Sequence, residues 1–201
     1  MDITRAGVGI AVAAVLLGAC TGESPTAPTL TSASRVSSPS VSSTPTPSLT
    51  PEDEAAVAAE AVLRAYYRAF PVCMADPPNS SATCFDSVAI GTELINRRNA
   101  LAAAQSMQTR ADGTISVASV ERYAVDLTSK LDETPPTVPT VTLRVCADVS
   151  AYNILDKDGK SIVPADRKPR SLVDVSVYNY KLPDTSQWRV GYVVPVKDGS
   201  C

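Results

Sequence analysis

Between Thr21 and Thr50 the chain is built almost entirely from three residue types: 21 of these 30 positions are Ser, Thr or Pro, and Glu23 and Arg35 are the charged exceptions. A tract of that composition carries too little apolar side chain to offset the entropy of ordering its backbone, so it is expected to be a disordered tether. Fully extended Pro-rich chain rises about 3.1 Å per residue, which gives an upper reach on the order of 90 Å. Folding is thereby confined to residues 51–201, enough chain for one hydrophobic core. The whole sequence holds 18 basic and 21 acidic residues, a formal charge of -3. That balance supplies no global field for nucleic acid or an anionic membrane surface. Histidine is absent, which removes the commonest neutral-pH base, the commonest zinc ligand and the base of a Ser-His or Cys-His pair. No metal, cofactor or nucleic-acid partner is expected.

In front of the tract, Met1–Arg5 is a short head, and Val8 to Leu17 is a run of ten Val, Ile, Ala, Leu and Gly residues. That is the length of a signal-peptide apolar region, whereas a bilayer-spanning helix takes about 20 residues. The run ends in Leu17-Gly18-Ala19-Cys20, which resembles the lipobox of bacterial lipoproteins. The resemblance implies a diacylglyceryl group on the Cys20 thiol and cleavage just before it. An ordinary secretory signal with a chance cysteine is the alternative. The expected organisation is a lipoprotein signal peptide over 1–19, lipidated Cys20 plus tether over 20–50, and one α+β domain over 51–201. The expected location is the extracytoplasmic face of the cell membrane, held by the lipid anchor. Setting Cys20 aside leaves Cys73, Cys84, Cys146 and Cys201, an even number that suits disulfides in an oxidising compartment.

The domain opens at Thr50-Pro51-Glu52-Asp53-Glu54, a helix start with a Thr cap, Pro at the first position and acids in the first turn. Ala55, Ala59, Val62, Leu63, Tyr66 and Phe70 recur at helical spacing, and Pro71 is expected to end the helix. Cys73 and Cys84 bracket a loop, and a bridge between them would staple it. A zinc site would instead need all four remaining cysteines and has no His to help. Asp86 or Ser87 is expected to cap a second helical region reaching Met107, broken into two by Asn96-Arg97-Arg98-Asn99 and ended by Asp112-Gly113. Arg97 and Arg98 read as a solvated face or a phosphate or carboxylate holder.

After Gly113 the period becomes two. Ile115 and Val117 open a strand, Tyr123, Val125 and Leu127 resume it, and the phase break predicts a bulge near Ser119. Val141, Leu143, Val145, Ala147 and Val149 line one face of the next strand, with Cys146 and Asp148 on the other. Asp156-Lys157-Asp158-Gly159 reads as a turn rather than a calcium loop. The stretch from Lys157 to Arg170 is locally basic, a candidate contact for an anionic wall polymer or headgroup. Val173, Val175 and Val177 form one further strand and Trp188, Val190, Tyr192, Val194 and Val196 another, joined through Pro183-Asp184-Thr185. Among the three possible pairings of four thiols, Cys73–Cys84 and Cys146–Cys201 are preferred, the second tying the tail to the sheet.

The expected architecture is α+β: N-terminal helices on one face of a curved antiparallel sheet of about four strands. The order of elements, the helix ending in Tyr66-Tyr67, the Val141–Val149 strand and the Trp188-Arg189-Val190 strand before a Cys-terminated tail resemble the nuclear transport factor two-like, cystatin-like cone fold. More narrowly they resemble small actinobacterial-type lipoproteins of that shape. The resemblance implies a cone that hosts either isomerase or dehydratase pockets or inert scaffolds, so fold leaves function open. The first functional reading is a non-catalytic binding, scaffold or envelope-interaction module whose partner is an envelope protein or wall polymer. The second is a small-pocket isomerase or dehydratase, with Tyr66, Tyr67, Tyr123 and Asp148 as pocket-lining candidates and Asp126 and Tyr152 as further donors or bases. The third is a superinfection exclusion or immunity lipoprotein of a mobile element.

Overall fold

The computed structural model describes residues 48–197, Gly199 and Cys201. The segment Leu17–Cys20 expected to be a lipobox, and the tract expected to be a tether apart from Ser48–Thr50, lie outside the described residues. Helix α1 spans Pro51–Ala75, and the Thr50 hydroxyl accepts the Asp53 N–H at 3.2 Å. Glu52, Asp53 and Glu54 sit in its first turn, where negative charge faces the positive end of the helix dipole. Pro71 does not stop it. The helix runs one more turn, which carries Cys73 into the core at 1% exposure, and the Ser80 hydroxyl donates to the Cys73 carbonyl at 2.6 Å.

Helix α2 spans Gly91–Met107 without interruption, which corrects the expected break at Asn96–Asn99. Its polar stretch is a solvated face, with Asn96, Arg98 and Asn99 exposed, on which the arginines are also ion-paired: Arg97 meets Glu93 one turn earlier and Arg98 meets Asp86. Asp86 is therefore an ion-pair partner, and Ile90 is the N-cap. Nor does Asp112-Gly113 end this helix. Gln108 does so in the left-handed region, φ 53°, while Thr109 N–H donates to the Ala104 carbonyl at 3.0 Å.

Six strands follow: β1 Arg110–Gly113, β2 Ser116–Asp126, β3 Thr140–Asp148, β4 Tyr152–Leu155, β5 Arg170–Tyr178 and β6 Arg189–Pro195. They form a four-stranded antiparallel sheet in the order β2-β3-β5-β6 and a separate β1-β4 ribbon. The ribbon is an addition to the expected architecture. At its end Gly113 takes φ +85°, and a Cβ there would lie 1.8 Å from the Ala151 carbonyl oxygen, so the position admits only glycine.

The fold is α+β, with both helices on one face of the curved sheet. Ala55, Ala59, Leu63, Tyr66 and Tyr67 of α1 pack on Val141, Leu143, Val145 and Ala147 of β3, Val173, Val175 and Val177 of β5, and Trp188 and Val190. The small Ala55 and Ala59 let the helix axis approach the Val-rich strands closely. Register slips between Val117 and Ser119 and between Arg122 and Ala124 in β2 supply the expected bulge and a second one, and bulges of this kind bend a sheet. The S–S bonds join Cys73 to Cys84 and Cys146 to Cys201.

The phase of β6 departs from expectation. Val177 pairs with Val190 and Ser176 with Tyr192, so Gly191 is an extra residue. Past it, Val193 opposes the fully buried Val175, and Tyr192 and Val194 turn outward at 48% and 39% exposure. The single-face assignment of Trp188, Val190, Tyr192 and Val194 is thus corrected by one bulge.

Candidate functional site

The pocket candidates do not converge. Tyr66 and Tyr67 belong to the core, their rings 5.3 Å apart edge to face. The Tyr66 hydroxyl donates to Glu93 Oε1, and Arg97 Nε lies 2.7 Å from the same oxygen, outside hydrogen-bond geometry. The Arg97 guanidinium is also 4.9 Å from the centre of the Phe70 ring, a cation–π contact. Burial, and then the neighbouring Glu93 charge, pushes the Tyr67 phenol up to about 12. Burial likewise raises Tyr66 and Tyr152. Glu93 is 2% exposed and Tyr66 3%. A carboxylate and a phenol so placed join α1 to α2, and they are closed to a substrate.

Asp148 stands on the opposite side of the sheet. Its carboxylate accepts from the Ser150 hydroxyl at 2.6 Å, the Ser150 N–H at 2.9 Å and Arg170 Nε at 2.9 Å. The two Ser150 bonds and then Arg170 hold its pKa at about 2, which makes it a fixed acceptor and a poor base. Asp126 is similarly lowered by Thr128.

Three cations of the basic stretch, Lys157, Arg167 and Arg170, are held by groups of the domain itself. Arg167 donates to the carbonyls of Val149 and Tyr152 at 2.8 and 2.6 Å, Arg170 binds Asp148 and Lys157 binds Asp158. Asp156 Oδ1 accepts the N–H groups of Asp158 and Lys160, the Asx geometry of a turn. Among the described residues no group of three or more acids or cysteines is arranged for a metal ion. Beside the ribbon, an apolar cleft of about 280 Å³ is lined by Phe70, Met74, Ala104, Met107, Ala111 and Ile162, among others.

The face of the four-stranded sheet turned away from the helices, met among the described residues only by the Cys201 tail at one end, is the better candidate. The chain has 7 tyrosines. Tyr66, Tyr67 and Tyr152 are buried; Tyr123, Tyr178 and Tyr192 lie on this face, and Tyr180 stands in the turn just past β5, against Tyr178. Alternation across the ladder sets it out. Val141, Leu143, Val145 and Ala147 point to the helices, so Thr140, Thr142, Arg144, Cys146 and Asp148 point away.

One row of partners is Ala124, Thr142, Ser176 and Tyr192, and the next is Glu121, Arg144, Asp174 and Val194. Arg144 binds Asp174 in a two-pronged pair, Nε to Oδ1 at 2.9 Å and Nη2 to Oδ2 at 3.1 Å. Its guanidinium is 4.6 Å from the centre of the Tyr123 ring. Tyr178 lies over Gly191, where a Cβ would come within 2.1 Å of the ring, and it meets Tyr180 edge to face at 6.5 Å. The result is a floor of small hydroxyl side chains between Tyr123 on one rim and Tyr192 on the other.

Sequence reasoning placed Cys146 and Asp148 on the polar face of β3 but did not single out Arg144, Asp174, Tyr178 or Glu93. The available signal for Tyr192 was Gly191, an isolated glycine inside a strand pattern.

No protein-family profile matches the chain, and no curated protein matches it. Among solved structures, similar chains include the intermembrane space region of the chloroplast protein ARC6, with TM-score 0.46 and 12% identity over 70% of this chain and 95% of that one. TraH from the Gram-positive conjugative plasmid pIP501 gives TM-score 0.41 and 11% identity over 74% of this chain and 96% of that one.

Proposed function

We propose that the protein is a lipid-anchored binding module on the extracytoplasmic side of a bacterial membrane, with a cone of the nuclear transport factor two-like kind, and that it works by contact rather than turnover. The observation that carries this reading is the placement of Tyr123, Tyr178 and Tyr192 on the sheet face turned from the helices, with Tyr180 at its end. The lipobox residues Leu17–Cys20, the Ser/Thr/Pro tract and two disulfides support the location, since structural disulfides form and persist in oxidising compartments. The burial of Tyr66 and Glu93 and the low pKa of Asp148 weigh against a pocket enzyme.

Two experiments test the two halves. Cys20→Ala is expected to yield unprocessed or released protein, and unchanged membrane fractionation and mass refute the anchor. Photo-crosslinking from position 192 in intact cells is expected to trap an envelope component, while the same group at Glu60, on the exposed side of α1, does not. Equal yields from both positions refute the contact face.

A further inference from the structure

We propose that the apolar cleft between the helices and the β1-β4 ribbon is a slot for one unbranched alkyl chain of about ten to twelve carbons, a site independent of the tyrosine face. The walls exclude a polar ligand. Phe70 and Met74 come from α1, Met107 from α2 and Ile154 from β4, with Ile162 beyond it. The chain has 3 methionines. Met1 is in the head, and both others line this cleft, where unbranched thioether side chains conform to a ligand's contour. From α2 come Ala100, Ala103 and Ala104, side chains too short to fill the space, so the cleft stays open.

Size and shape select the occupant. The cleft has 12 lining residues, against about 20–30 a side in a stable protein interface, so it fits a small ligand and neither a second copy nor a folded partner. A dry cavity of about 150 Å³ holds one benzene, and at about 280 Å³ this one has room for about ten to twelve carbons on the same scale. Along α2 the lining runs from Ala100 to Met107, about 10 Å at 1.5 Å rise per residue. The Phe70 and Tyr152 rings, edge to face at 5.9 Å, stand at the Ala100 end, next to Arg97. Met107 stands at the other end, 63% exposed. A slot that long for its volume takes an extended chain rather than a fused ring. Arg110 is the one charge in the lining, and the hollow beside it adds Asp76, Asp156 and Lys157. A rim of both signs leaves the head group in water and selects none, so the hydrocarbon is what the site reads.

The test is methyl NMR of Met74 and Met107 in the full-length protein, held in a bile-salt detergent without alkyl chains and titrated with linear alcohols from hexanol to tetradecanol. Both methyls are expected to shift. Kd is expected to fall about threefold to fourfold with each added carbon, then level off past about ten to twelve carbons. Decanoate and decyltrimethylammonium are expected to bind within about threefold of decanol. Ala103→Leu fills the slot and weakens decanol at least tenfold, whereas Ala102→Leu, outside the lining, binds as the parent does; both are checked for native circular dichroism. A Kd that ignores chain length, or that is equal in the two leucine variants, overturns the slot. Tighter binding of naphthol than of decanol overturns the chain and assigns the cleft to a fused ring. Methyls that stay unshifted throughout overturn the site itself, and each of these results leaves the tyrosine contact face standing.

Discussion

Removing the bond between Cys146 and Cys201 is the sharpest test of how the domain is held. The cysteines are 55 positions apart, and a loop of that size constrains the unfolded chain by about 4 kcal/mol in the chain-entropy treatment. In the native state Cys146 sits between Ser119 and Leu172 on the sheet face turned from the helices, where it is buried. The tail approaches it through Val196, whose N–H donates to the Leu172 carbonyl at 2.9 Å, so native contacts on the sheet survive when the tail is freed. The double variant Cys146→Ala/Cys201→Ala is therefore expected to lose most of that 4 kcal/mol with the fold intact. For a domain of this size each kcal/mol moves Tm by about 2–4 °C, which gives a fall of about 8–16 °C. Thermal melts followed by circular dichroism measure it. The Cys73–Cys84 loop is shorter, 11 positions, and the same treatment gives about 3 kcal/mol. A melt within about 2 °C of the parent for the first variant would refute the assignment of this stability to the closed loop.

Glu93→Gln leaves Arg97 without its countercharge and is expected to cost about 2–3 kcal/mol in urea denaturation, with Tyr66→Phe costing about 1–2; a neutral Glu93→Gln would show that the pair adds no net stability. Raising pH tests the buried phenols. Because Tyr67 is pushed from 10.0 up to about 12, the folded state holds its proton longer than the unfolded state. Its contribution is whole below pH 10 and is lost as pH rises through about 12. Tyrosinate absorbance should therefore gain a step that coincides with unfolding, and full ionisation while the circular dichroism stays native would contradict the burial. Gly191→Ala forces the Tyr178 ring off the strand and is expected to lower the denaturation midpoint by about 1–3 kcal/mol of stability; a midpoint equal to the parent would mean the ring has free space to move.

The parts of the fold that were legible in the sequence are those written in local chemistry. Thr50-Pro51 with its acidic first turn is a helix start readable from neighbouring residues, and the alternation of β3 needs no partner to be seen. Pro71 misled because a proline rule speaks of a lost hydrogen bond, while the buried Cys73 just beyond it keeps the helix wound. Arg97 and Arg98 read as a break in α2 because their partners Glu93 and Asp86 become apparent only when the turn is placed in space. The β1-β4 ribbon has strands of four residues, too short for alternation to stand out. The tyrosine face was hidden for a different reason. Its rims come from β2 and β6, at opposite edges of the sheet, and a single extra residue at Gly191 reverses the side on which Tyr192 emerges.

The bulges of β2 and the cover over β6 bear on how many copies can stand side by side. At Val190 the N–H donates to Val88 and the carbonyl accepts from Ile90, both at 2.9 Å. Past it β6 offers only Gly191–Val194 before Pro195, which has no N–H to give. The other margin, β2, slips register twice and carries Glu121, Arg122 and Asp126. A Val-rich sheet with two long straight margins would polymerise by adding strands from its neighbours. This one ends in a short margin and a broken one. High local concentration of the domain then raises the density of tyrosine faces without seeding a fibre.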